Sequence, residues 1–190
     1  MAQTRSWQET RAEYVRLLKE RTGDDVEGWN RRIKKARLSS PDSLRTWLTE
    51  RGVTGYARSL LVMEQFGYPD FFLASAEKLI EAQYADRPQL RPILDAIVSA
   101  AEKLGEVTVQ ARKTYVSLVS PCRTFARVQV TTRDRVELAL RLDSAKPKGR
   151  LKPSRVHEGM PVSVLLTSVK EFDSEVRAWL RRAYAQNAPA

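Results

Sequence analysis

The chain reads as an α+β protein: a helical N-terminal domain over residues 1–86, then a domain over 87–190 built on an antiparallel sheet flanked by helices. Three observations predict this. As far as residue 86, apolar residues recur at helical spacing and no alternating run is long enough for a sheet. Past Gly105 the period changes to two, in stretches rich in Val, Thr, Tyr and Leu. A last helical stripe then follows the strands, an element order typical of α+β folds.

Trp7, Tyr14, Val15 and Leu18 share one face of a first helix, predicted to stop at Thr22-Gly23. Val26, Trp29 and Ile33 mark a second, whose outer face carries Arg31, Arg32, Lys34, Lys35 and Arg37. Ser40-Pro41 pairs a capping hydroxyl with a proline pre-set for the first helical position, and Leu44, Trp47 and Leu48 form the stripe of a third helix ended by Gly52. Thr54 is placed to cap a fourth helix through Tyr56, Leu60 and Met63, closed by Gly67, with a short helix over 75–84 after it. All four tryptophans read as core, and Tyr84–Pro88 reads as the boundary between the domains.

In the second half, Pro88 and Pro92 open a helix with the stripe Leu90, Leu94, Ile97, Val98, Ala101 and Leu104. Strands are expected over 106–111, 114–119, 124–131, 135–142 and 162–169; in the fourth, Val136, Leu138, Leu140 and Leu142 alternate with Glu137, Ala139 and Arg141. Thr132-Arg133-Asp134 is short enough to join two of them as a hairpin. Phe172, Val176, Trp179, Leu180, Ala183 and Tyr184 then outline a closing helix over 171–186.

Composition narrows the function classes. With 190 residues, 42% of them hydrophobic, the chain can bury at least one real core. Its single cysteine, Cys122, cannot pair internally, so a reducing, cytoplasmic setting is expected. The stretch Met1–Trp7 lacks a signal-peptide apolar run, and no segment approaches the roughly 20 apolar residues of a membrane span. The net charge of +10 favours polyanionic partners. Residues 1–90 carry 15 Lys/Arg and 13 Asp/Glu, whereas residues 91–190 carry 18 and 10. Within 112–155 there are 12 basic residues against Asp134, Glu137 and Asp143, so nearly all the imbalance is there.

The sharpest feature is Lys146-Pro147-Lys148-Gly149-Arg150-Leu151-Lys152-Pro153-Ser154-Arg155, five cations in ten residues with no acid. Its prolines and glycine predict a mobile loop outside helix and sheet. Such a loop can neutralise phosphates and release counterions, although a solvated strand connection has the same composition. Arg127, Gln129 and Arg141 are expected on the wet face of the sheet. Two placements are open for Tyr115 and Phe125: exposed on that face, where rings stack bases, or buried under a helix, which their size favours. In the first half, the stretch from Ser40 to Arg58 resembles the helical hairpin of SAP-like DNA-binding modules. That resemblance would set Arg45, Arg51 and Arg58 against phosphates, and an ordinary helical hairpin has the same pattern.

For catalysis the sequence offers little. His157 is the lone histidine, no Cys/His/carboxylate cluster has metal-ligand spacing, and no glycine-rich phosphate loop is present. Cys122 beside Arg123, or His157 beside Glu158, lacks any partner in sequence to orient it. No catalytic residue, metal or cofactor is therefore expected. An enzyme would instead need a pocket with perturbed carboxylates, with Glu106, Glu137 and Glu158 as candidates.

Two stretches carry a family resemblance. Thr22-Gly23, Trp29 and Trp47-Leu48 through Met63-Glu64-Gln65-Phe66-Gly67 resemble a small helical bacterial domain of unknown function. Lys113-Thr114-Tyr115-Val116, Phe125-Ala126, Leu138-Ala139-Leu140 and Trp179–Tyr184 resemble a second domain labelled a predicted transport protein and sometimes joined to nuclease-like modules. The resemblance implies the two-domain layout and carries no catalytic residue to any position here. The expectation is non-enzymatic binding of nucleic acid, through Arg127, Arg141, Lys146, Lys148, Arg150, Lys152 and Arg155, aided by Arg45 and Arg58. The alternative is a protein-interaction or small-ligand module whose basic loop meets an acidic partner.

Overall fold

The computed structural model describes residues 3–4, 6–143 and 145–189; Met1, Ala2 and Arg5 of the N-terminal stretch lie outside them. The chain is α+β and forms two compact units, one over 6–74 and one that joins 75–189 to the strand at 3–4.

The first unit is five helices: α1 (Trp7–Thr22), α2 (Val26–Ala36), α3 (Pro41–Glu50), α4 (Gly55–Phe66) and α5 (Asp70–Leu73). Local chemistry sets their ends. Ser6 and Glu9 close a reciprocal capping box on α1, and Gly23, at φ 74°, adopts the left-handed conformation that stops it. Ser40 and Ser43 do the same for α3, with Pro41 in its first turn. Thr54 sits at the head of α4 but makes no capping hydrogen bond, which corrects the predicted cap. Tyr14, Leu18, Trp29, Ile33, Leu44, Leu48, Leu60 and Leu61 build the core, to which α4 is central. Of the four tryptophans read as core, only Trp29 is buried. Trp7, Trp47 and Trp179 are half-buried, since an indole is too large to be covered readily on all sides.

The second unit holds a seven-stranded sheet in the order β1 (Gln3–Thr4), β2 (Thr108–Ala111), β3 (Tyr115–Val119), β4 (Thr124–Val130), β5 (Val136–Leu140), β7 (Val162–Leu166) and β6 (Lys152–Pro153). Only the β1–β2 pairing is parallel. Around it lie α6 (Ala76–Tyr84), α7 (Arg91–Ala101) and α8 (Ser174–Asn187), with α6 against β2 and β3 and α8 against β4 and β5. The predicted helix from Pro88 opens as a 3-10 turn, Pro88–Leu90, before α7.

Register sorts the two faces of the sheet. Val116, Val128, Leu138 and Val164 are cross-strand partners, as are Leu118, Ala126, Leu140 and Val162, and all eight are buried. These rows meet the helices. One residue out of phase, Gln110, Ser117, Arg127, Ala139, Ser163 and Lys152 form a row across the opposite face. A bulge interrupts the alternation: Leu118 pairs with Ala126 but Val119 with Thr124, so Phe125 is the extra residue. Phe125 is completely buried, edge-on to Tyr184 of α8 at 5.3 Å, and thus joins the helix side although Arg127 and Gln129 share its parity.

Tyr84, which the sequence reading assigns to the domain boundary, is also core: 3% exposed, in the cluster that includes Ile80, Leu90 and Ile93. Burial pushes its phenol up to about 12, and its hydroxyl has no hydrogen-bond partner among the described residues. Helix α6, counted above with the helical domain, thus packs with the sheet.

Candidate functional site

The basic stretch is tied into the sheet. Leu151 N–H donates to the Lys148 carbonyl at 3.1 Å across a turn that needs Gly149 at φ 61°, and Lys148 and Leu151 form a β-bridge. Lys152 and Pro153 then pair with Ser163 and Val162 as the outermost strand, where one side of the backbone has no ladder to make and proline is tolerated. The predicted loop outside helix and sheet is corrected accordingly.

The five cations of that stretch differ in their surroundings. Arg150 reaches the start of α8: Nη1 contacts Asp173 Oδ2 at 2.6 Å and Glu175 Oε2 at 3.8 Å, and Nη2 donates to the Glu171 carbonyl at 2.6 Å. Its charge is compensated within the fold. The Asp173 carboxyl is held below its usual range, first by the Val176 N–H it accepts as helix cap and then by Arg150. Lys146, Lys148, Lys152 and Arg155 are exposed, and none is ion-paired among the described residues.

Arg127 and Arg141, expected to face solvent, are both half-buried, because the segment after β6 folds back over that face. Arg127 Nη1 donates to the Val156 carbonyl at 3.3 Å, and its guanidinium lies 3.3 Å from the centre of the Tyr115 ring. Burial lowers the pKa of that guanidinium, against a smaller opposing effect of Tyr115. Arg141 Nε donates to the Thr124 carbonyl at 2.9 Å, and its guanidinium packs so closely on Gly159 that a Cβ there would sit 2.5 Å from Nη2. Ala139, Ser163 and Met160 are buried as a result. Of the two placements open for the aromatics, Phe125 takes the buried one and Tyr115 the polar face, half-covered.

Arg45 and Arg58 belong to the helical unit. Arg45 pairs with Asp42 at 2.7 Å and Arg58 donates to Thr49 Oγ1 at 2.8 Å. Arg51 stacks on Trp47, 4.0 Å from the ring centre. Each serves its own hairpin.

The residues weighed for catalysis stay apart from one another's chemistry. His157 is exposed and its Nδ1 accepts from Gly159 N–H at 3.0 Å within a turn; Cys122 is exposed. A cleft of about 300 Å³ lies between α6 and α7, lined by Glu77, Ile80, Arg91, Leu94, Asp95 and Val109 among others, but not by Glu106, Glu137 or Glu158. Arg91 and Asp95 pair along its α7 wall at 2.7 Å. Among the described residues no three His, Cys, Asp or Glu side chains are grouped to hold a metal ion, and no helix is long and apolar enough to cross a membrane.

What sequence reasoning missed is the stack of Arg127 on Tyr115 and the acidic start of α8 that takes up Arg150. The acids Asp173 and Glu175 are plain in the sequence, but their pairing with Arg150 spans more than 20 residues.

Comparison with known proteins gives a match to most of the sheet-bearing region, without β1. A family model described as a domain of unknown function, DUF5655, matches residues 80–187, from within α6 to the end of α8. No curated protein and no solved structure matches the chain. Since the matched span is more than half of the 190 residues, the chain belongs to the DUF5655 family.

Proposed function

We propose that this protein binds nucleic acid without catalysis, chiefly through backbone phosphates, along the sheet edge that carries Lys146, Lys148, Lys152 and Arg155. The observation behind this reading is that these four cations are exposed and not ion-paired among the described residues, in ten residues of chain whose middle, Lys148 to Pro153, is held by a β-bridge and the edge strand. Unpaired cations on an ordered support neutralise phosphates at little cost in chain entropy and release the condensed counterions. Arg150, Arg127 and Arg141, engaged inside the fold, contribute packing in place of phosphate contacts. Backbone contacts carry little sequence information, so weak sequence preference is expected.

The test is fluorescence anisotropy of labelled duplex DNA, single-stranded DNA and RNA over a salt series. Four phosphate contacts predict a slope of log K against log salt near −3.6 on duplex and about −2.8 on single strands. Changing Lys146, Lys148, Lys152 and Arg155 together to serine should flatten it. Absence of binding at low salt, or an unchanged slope in the variant, overturns the proposal.

A further inference from the structure

We infer that the cleft between α6 and α7 is a binding site for a small organic ammonium ion, with its charged head at the carboxylates of the rim and its hydrocarbon on the apolar floor. This inference does not rest on the phosphate-backbone reading.

Helical spacing builds the cleft. Glu77 and Ile80 lie three residues apart on α6, while Arg91, Asp95, Val98 and Glu102 recur every three or four residues along α7 and its C-cap, so each helix lines the cleft with one stripe. Ile80, Leu94 and Val109 of its lining are buried members of the core, and the half-buried Val98 packs against that core. The floor is therefore hydrocarbon. The rim is charged, since Glu77, Asp95 and Glu102 are all exposed. A volume of about 300 Å³ is at the small end of ligand pockets.

Charge selects the ligand. The lining holds three carboxylates, Glu77, Asp95 and Glu102, against one guanidinium, Arg91, whose Nε already donates to Asp95 Oδ1 at 2.7 Å. Glu77 forms no ion pair among the described residues. Its own N–H and the Ser75 hydroxyl hold its carboxyl below the usual carboxylate range, which keeps it ionised. The surroundings have the same sign: residues 76–102 carry five Asp/Glu and three Lys/Arg, in a chain whose net charge is +10. A cation is thus drawn to this cleft while most of the surface repels it. No three His, Cys, Asp or Glu side chains among the described residues are grouped to hold a metal ion. An ammonium attached to a hydrocarbon, by contrast, gains from the carboxylates and from covering the floor.

The experiment uses the full chain with ¹³C-labelled Ile, Leu and Val methyl groups, titrated with n-hexylammonium, 1-hexanol or hexanoate at ionic strength held constant with sodium chloride. The methyl resonances of Ile80, Leu94, Val98 and Val109 should shift and saturate with hexylammonium, while those of Leu18 and Leu44 in the helical unit stay in place. Hexanol should bind roughly fivefold more weakly, and hexanoate, repelled by the same carboxylates, should not saturate. From butylammonium to hexylammonium each methylene should tighten binding about twofold, less than full burial gives because a groove covers the chain on one side only. Glu77→Gln, at an exposed position, should weaken hexylammonium about two- to fivefold and leave hexanol unchanged. The variant with Lys146, Lys148, Lys152 and Arg155 changed to serine should keep the full response, so loss of nucleic-acid binding there and loss of ammonium binding in Glu77→Gln are separate results. Methyl shifts that do not saturate at the cleft, hexanol or hexanoate binding as tightly as hexylammonium, or an affinity that Glu77→Gln leaves unchanged overturns the site.

Discussion

Replacing Tyr84 with phenylalanine should stabilise the protein. Tyr84 is 3% exposed and its hydroxyl is without a hydrogen-bond partner among the described residues, while its ring belongs to the core cluster that includes Ile80, Leu90 and Ile93. Phenylalanine keeps the ring and removes the group that lost its water, whose burial costs about 1–3 kcal/mol. A gain near 1 kcal/mol at pH 7 is expected. The pH dependence sharpens this. The phenol titrates at about 12 in the fold against an ordinary value of 10.0, so both states are protonated at neutral pH and the pair contributes no slope there. As pH rises past the unfolded value, the unfolded chain ionises first and stability is lost until the folded value is reached. At pH 11 the loss is about 1.4 kcal/mol, and at full extent about 2.7 kcal/mol. Urea unfolding of wild type and Tyr84→Phe at pH 7 and pH 11, followed by circular dichroism, reads both quantities. The gap between the two proteins should widen from about 1 to about 2.4 kcal/mol. A destabilised variant, or a gap that does not grow with pH, refutes the reasoning.

Phe125→Ala should cost about 3–5 kcal/mol in the same unfolding assay, because the ring is wholly buried and edge-on to Tyr184. Gly105, at φ 145° and placed so that an added Cβ would run into the Tyr184 hydroxyl, should not accept alanine, and a clear drop in Tm is expected for Gly105→Ala. Ser40→Ala, which removes the hydroxyl that accepts from Ser43 N–H and leaves the Ser40 N–H to Ser43 Oγ bond in place, should cost about 0.5–2 kcal/mol by denaturant midpoint. In the anisotropy assay Lys148→Ser should reduce the duplex salt slope by about 0.9, whereas Arg150→Ser, already paired to Asp173, should leave it nearly unchanged.

The sequence by itself determined the class and the longer elements, since those depend on neighbours a few residues apart, while the short edge strands β1 and β6 have no such local signature. Ser40-Pro41 and Gly23 mark helix ends through backbone groups within one turn, and the alternation at 136–142 needs only the pleat of a strand. The charge imbalance over 112–155 was equally plain, being a count. Which of those charges remain available was decided only by the tertiary structure. Arg150 and Lys148 are two residues apart and indistinguishable in composition, yet one meets the acidic head of α8 and the other does not. The bulge at Phe125 reverses the face that parity assigns to it, because a single extra residue shifts the register of β4 against β3. The segment beyond β6 that covers Arg127 and Arg141 has no periodic signature of its own; its place follows from two long-range contacts, Arg127 to Val156 and Arg141 to Gly159. Tyr84, beside a proline-bearing turn, carries local signs of a linker and is buried because the sheet happens to lie beneath it. Local hydrogen bonding and periodicity are written in short stretches of chain, whereas burial and charge compensation depend on which distant residues arrive at the same place.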